Sequence, residues 1–189
     1  MRTGGHANWY FKDYEKRTVL ENGRKKVVWD YNGDYYSYGF DKHGLGIFKL
    51  KNALLLLLYI AVYVAVSVYP FGANRTAYVG AVHLLALVPM FFLIMGVGNL
   101  LFTDVKMTYR EHHASVFRID RSLTVSLILE GLVAVLDVVY LIIGVEPSDL
   151  KKELLFLVGV LVGFAALAVI RLMQKKHPCK VIPGKQRNA

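Results

Sequence analysis

Two carboxylic acids, Glu130 and Asp137, sit inside the otherwise apolar stretch Ser122–Gly144, and no other residues in the chain hold so much chemical promise. Seven residues apart, they share one face of a helix. Counted from Ser122 at about 1.5 Å per residue, they lie about 12 and 22 Å along it, on either side of a bilayer midplane. An acid at that depth costs about 2.5–3.5 kcal/mol on insertion scales, so it turns towards other helices and marks a polar partner or an ion pathway. Three chemistries fit: a proton or cation site, an ion pair with a basic residue in another chain's span, or hydrogen bonds from neutral acids to neighbouring helices.

Partners are sought by matching depth. His83 lies six residues into the apolar segment 77–101, which runs opposite to 122–144, and so reaches the level of Asp137; a His83–Asp137 pair is expected. Tyr59, Tyr63 and Ser67 recur on one face of the preceding segment, with Tyr59 level with Glu130, and form a polar stripe to receive it. Gly159-x-x-x-Gly163 and the weaker Ala61-x-x-x-Ala65 are close-packing patterns for helices, within the chain first and between two copies second. Pro89 is expected to kink its helix, with Gly96 and Gly98 loosening the stretch beyond.

Other chemistry is excluded by spacing. His112-His113 has no Cys or acidic residues at ligand spacing, so it reads as solvated loop and no metal site is expected. His43 reads as a turn residue, and His83 alone lies within a span, which rules out paired axial haem ligands. Hydrolase, P-loop, dinucleotide and zincin motifs are missing, so neither an enzyme nor a cofactor is expected. Cys179 is the one cysteine and has no partner for a disulfide. A net charge of +9 raises nucleic acid as a partner, but no nucleic-acid-binding motif accompanies it.

The elements that must position these residues follow from where the apolar residues fall. The chain has 189 residues, 55% of them hydrophobic, concentrated after residue 52 in four runs nearly free of charge. The runs 53–69, 77–101, 122–144 and 153–173 each match the roughly 20 residues that cross a bilayer as a helix. Short turns join the first pair (Pro70–Thr76) and the last (Val145–Asp149, with Ser148 or Asp149 to cap the next helix), which predicts an antiparallel four-helix bundle. Of 23 Lys and Arg residues, ten lie in the first 52, four in 103–121 and six from Arg171 onwards, leaving three (Arg75, Lys151, Lys152) for the opposite turns. That asymmetry places both termini in the cytoplasm and sets the basic loops and the 174–189 tail against anionic lipids. The polar 1–52 segment has no cleavable signal pattern, so the first apolar run is read as its own signal anchor, in a prokaryotic plasma membrane.

Within 1–52, Asn22-Gly23 and Asn32-Gly33 mark two hairpin turns and predict a three-stranded β-meander over 14–40. Its register sets Thr18 opposite Val27, Leu20 opposite Lys25 and Trp29 opposite Tyr36. One face then gathers Leu20, Val27, Trp29, Tyr36, Tyr38 and Phe40. A sheet this small cannot bury that face by itself, so Trp29, Tyr36, Tyr38 and Phe40 are docking candidates for the bundle base, the lipid interface or a partner. The sequence therefore predicts a non-enzymatic α-helical membrane protein that serves as a subunit of a membrane complex. The alternative is a small oligomeric transporter or channel that uses Glu130 and Asp137.

Overall fold

The computed structural model describes residues 13–21 and 24–184. In chain order they form β1 (Tyr14–Glu21), β2 (Arg24–Tyr31), β3 (Tyr35–Ser37), α1 (Lys42–Val68), α2 (Gly72–Arg75), α3 (Ala77–Leu85), α4 (Leu87–Leu101), α5 (Tyr109–His112), one π-helical turn (His113–Phe117), α6 (Arg118–Ile143), α7 (Leu150–Lys176) and β4 (Lys180–Ile182). Four helical stretches are long and apolar enough to cross a membrane: Lys42–Val68, Ala77–Leu101, Tyr109–Ile143 and Leu150–Lys176. They run alternately up and down, with α1 and α6 each packed against both α7 and the α3–α4 span. One end of the bundle carries β3, β4 and the 102–108 loop, and the other carries the two short turns.

The helices overrun their apolar cores. α1 starts at Lys42, ahead of the predicted 53, because the Asp41 side chain caps it, accepting from the Gly44 N–H at 2.9 Å. From there one buried stripe (Leu45, Phe48, Asn52, Leu56, Tyr59, Tyr63, Val66) runs its whole length. His43 therefore lies in the first helical turn rather than in a loop. The second span is interrupted at Ala86, because Pro89 has no N–H for the Leu85 carbonyl and its ring crowds that group. His112 and His113 are not solvated loop either. A capping box between Thr108 and Glu111 starts a helix there, and His112 stacks on Tyr36 with ring centroids 4.2 Å apart. At the start of α7, Asp149 is the N-cap residue, but its carboxylate takes Lys152 at 3.1 Å and leaves the helix end uncapped by side chain.

The β-meander does not form. β1 and β2 pair antiparallel in the predicted register, Thr18 with Val27 and Leu20 with Lys25, while the Asn22-Gly23 turn between them lies outside the described residues. β3 does not join them. Its Tyr36 exchanges two backbone hydrogen bonds, both 2.8 Å, with Met107, and its other edge pairs with β4 from the C-terminal tail. Both edges of β3 are thus occupied, and the predicted Trp29–Tyr36 pairing is overturned. Gly33 needs no positive φ; among the described glycines that conformation belongs to Gly39, at φ 75°. Gly184 closes the arrangement, its N–H donating to Asp34 at 3.1 Å where a Cβ would strike the Asn32 and Gly33 carbonyls.

Candidate functional site

Two polar faces meet inside the bundle. α6 buries Ser122, Ser126, Glu130 and Asp137 on one side, and α1 turns Asn52, Tyr59 and Tyr63 inward. At mid-depth the Tyr59 hydroxyl donates to Glu130 Oε1 at 2.8 Å. One turn further along α1, the Tyr63 hydroxyl donates to the His83 carbonyl at 2.6 Å, a turn before the break at Ala86, and the two rings stack with centroids 4.3 Å apart. Glu130 is 2% exposed and Asp137 0%, so neither carboxyl reaches the bundle's outer surface.

The predicted His83–Asp137 pair is absent. The His83 ring is held between Tyr63 and Phe156, its centroid 5.8 Å from that of Phe156, and its Nε2 lies 2.9 Å from Ser67 Oγ. The ring meets Tyr63 and Ser67 of α1 instead of Asp137 of α6. Both Asp137 oxygens, His83 Nδ1 and Ser126 Oγ are buried with no hydrogen-bond partner among the described residues. Ser67 Oγ also donates to the Tyr63 carbonyl at 2.7 Å, so it receives Nε2–H and leaves Nδ1 as a lone-pair acceptor. A groove of about 570 Å³ between α1 and α3 opens onto this pair. The Ser–His contact is not arranged as a hydrolytic dyad, since the serine proton is committed to backbone and no carboxylate holds Nδ1.

Glu153 is a polar anchor that the sequence reading missed. It is 4% exposed, and its two oxygens accept from the Gly72 N–H at 2.7 Å and the Ala73 N–H at 3.1 Å, which ties α7 to the turn after α1. The only signal was its place at the head of an apolar helix facing a Gly-Ala turn. At the opposite end, a second chain of hydrogen bonds runs from the Tyr38 hydroxyl to Gln174 Oε1 (2.9 Å), from Gln174 Nε2 to Asn52 Oδ1 (3.2 Å), and from Asn52 Nδ2 to the Phe48 carbonyl (2.7 Å). Burial pushes the Tyr38 phenol well above its ordinary range. Asn52 and Gln174 lie at the predicted span limits, where a polar residue has the appearance of a helix edge.

The remaining candidates divide. A Cβ at Gly159 would overlap Val66, and one at Gly163 would lie 3.4 Å from the Tyr59 ring, so both glycines serve the α1–α7 contact. Ala61 and Ala65 are exposed and face away from the bundle, which overturns their assignment to packing within the chain. Tyr36, Tyr38 and Phe40 pack on the bundle core at the end of the 102–108 loop, whereas Trp29 stays out on the β1–β2 ribbon, 54% exposed. Among the described residues, no three His, Cys, Asp or Glu side chains stand close enough to hold a metal ion. No family model, curated protein or solved structure matches the chain.

Proposed function

We propose that this chain is a non-enzymatic subunit of a membrane complex, lying in a prokaryotic plasma membrane with both termini cytoplasmic, and that the β1–β2 ribbon is its docking element. The observation that carries the reading is the ribbon's exposure: every side chain from Glu15 to Leu20 and from Lys25 to Asp30 is exposed. Leu20, Val27 and Trp29 are 71%, 56% and 54% exposed on one face. A two-stranded ribbon is marginal by itself in water, so it gains its order from a second surface. On that face the apolar centre is flanked by Lys16 and Lys25 with no carboxylate, Lys16 standing 5.0 Å from the Trp29 ring centroid. Its complement is a protein surface that is acidic around an apolar centre. The asymmetry of Lys and Arg supports the orientation.

The test is the intact mass of the complex purified from its native membrane in mild detergent. Wild type is expected to carry a stoichiometric second protein. A Leu20→Ser/Val27→Ser/Trp29→Ser variant is expected to lose it while its bundle unfolds at the wild-type temperature. A monomer or homo-oligomer in both preparations overturns the reading.

One observation favours a second reading, proton or cation transport: a fully buried Asp137 whose two oxygens have no partner among the described residues. Such an acid near mid-membrane is a binding site in wait of an ion. In liposomes, this reading requires flux that Asp137→Asn and Glu130→Gln abolish, and unchanged flux in both rules it out.

A further inference from the structure

A groove of about 370 Å³ lies between the second and third spans, in the half of the bundle nearer the 102–108 loop. Its walls are almost wholly apolar (Val88, Pro89, Phe92, Val125), and Arg118 and Arg121 border it as well. The volume falls within the range of about 300–1,000 Å³ typical of small-ligand sites. Arg118, Arg121 and Val125 recur at helical spacing along α6, so the groove runs about 10 Å from the guanidinium groups towards mid-bundle. Pro89 itself stands on the facing side of the groove, three residues after the interruption at Ala86.

The two arginines are available. Among the described residues neither guanidinium has a carboxylate partner; Arg121 lies over the Phe117 ring, 4.3 Å from its centroid, and the adjacent Asp120 is bonded to Arg171 instead. Two arginines without a carboxylate partner, bordering an apolar groove, complement one kind of molecule, an anion joined to a hydrocarbon chain. We propose that this groove binds one anionic glycerophospholipid, its phosphate between Arg118 and Arg121 and one acyl chain along Val88, Pro89, Phe92 and Val125. The inference rests on the chain lying in a membrane and is independent of docking through the ribbon. Loss of the ribbon's partner leaves it untouched.

The full chain in mild detergent is titrated with palmitoyl-oleoyl phosphatidylglycerol or with the matching phosphatidylcholine, and bound lipid is counted by native mass spectrometry. Wild type is expected to retain one phosphatidylglycerol in preference to phosphatidylcholine. Arg118→Gln/Arg121→Gln is expected to weaken that first binding by about tenfold or more, given the attraction of each basic residue to anionic lipid. Lys151→Gln/Lys152→Gln, at the far end of the bundle, is expected to leave it unchanged. Val88→Trp, which fills the groove and keeps both arginines, is expected to lose the lipid as well. Equal binding of the two lipids by wild type overturns the proposal without recourse to any variant. So does phosphatidylglycerol binding that survives the double arginine change, or that survives Val88→Trp, since the latter leaves only surface charge as its cause.

Discussion

The Tyr59 hydroxyl donates to Glu130 at 2.8 Å with both side chains buried, so one hydrogen bond joins the first and third spans at mid-depth. Tyr59→Phe takes away the donor and leaves a buried acceptor unmet, an effect of about 1–3 kcal/mol. Thermal unfolding in mild detergent is expected to show a lower midpoint for Tyr59→Phe. Glu130→Gln keeps an acceptor oxygen and is expected to lose less. In Tyr59→Phe/Glu130→Leu both partners are apolar, and the double change is expected to cost less than the sum of its parts. Strict additivity would mean that the contact does not form.

Asp137 predicts the opposite sign. Its oxygens have no partner among the described residues, so removing the carboxyl relieves an unmet polar group instead of creating one. Asp137→Leu is expected to raise the unfolding midpoint, by about 1–3 kcal/mol of stability, where Glu130→Leu lowers it. An Asp137→Leu protein that unfolds earlier than wild type would show that an ion or a water meets the carboxyl in the folded chain.

The contrast between these two acids also shows what a sequence can and cannot carry. The spans were legible because crossing length and apolarity are local properties of a segment, and the Thr18–Val27 register was legible because strand alternation is local too. Depth within a span was legible, which brought Tyr59 to the level of Glu130. Rotation about the helix axis was not, and His83 turned to Ser67 instead of Asp137. β3 was misassigned because its partners, Met107 and Lys180–Ile182, come from far along the chain, while Asn32-Gly33 offered a turn close at hand. Glu153 and Asn52 escaped notice because a polar residue at the margin of an apolar run looks like the end of a helix.

Gly159 lets α7 approach α1 where a Cβ would overlap Val66, a β-branched side chain with little rotamer freedom. Gly159→Ala is expected to destabilise the bundle by about 1–3 kcal/mol through overpacking. Val66→Ala returns the space, so Gly159→Ala/Val66→Ala is expected to unfold at a higher temperature than Gly159→Ala alone. A rescue that fails, together with a change in oligomeric mass for Gly159→Ala, would place the glycine at a contact between copies.

The β3–β4 pairing is open to a chemical test through Cys179, the one cysteine in the chain, which directly precedes β4. Burial pushes its thiol from 9.0 up to about 11. A thiol reacts with maleimide as thiolate, so at any pH below 9 the thiolate fraction, and with it the labelling rate, is about a hundredfold lower than for a solvated thiol. The rate is expected to keep rising about tenfold per pH unit beyond pH 9, where a solvated thiol levels off. Because Tyr36 directs its backbone groups to Met107, the ladder to β4 runs through Tyr35 and Ser37, opposite Ile182 and Lys180. Ile182→Pro removes one of those ladder donors, and freeing the tail this way is expected to bring labelling at pH 8 towards the solvated rate. Labelling of wild type at that rate from the start, unchanged by Ile182→Pro, would mean that the tail does not pair with β3.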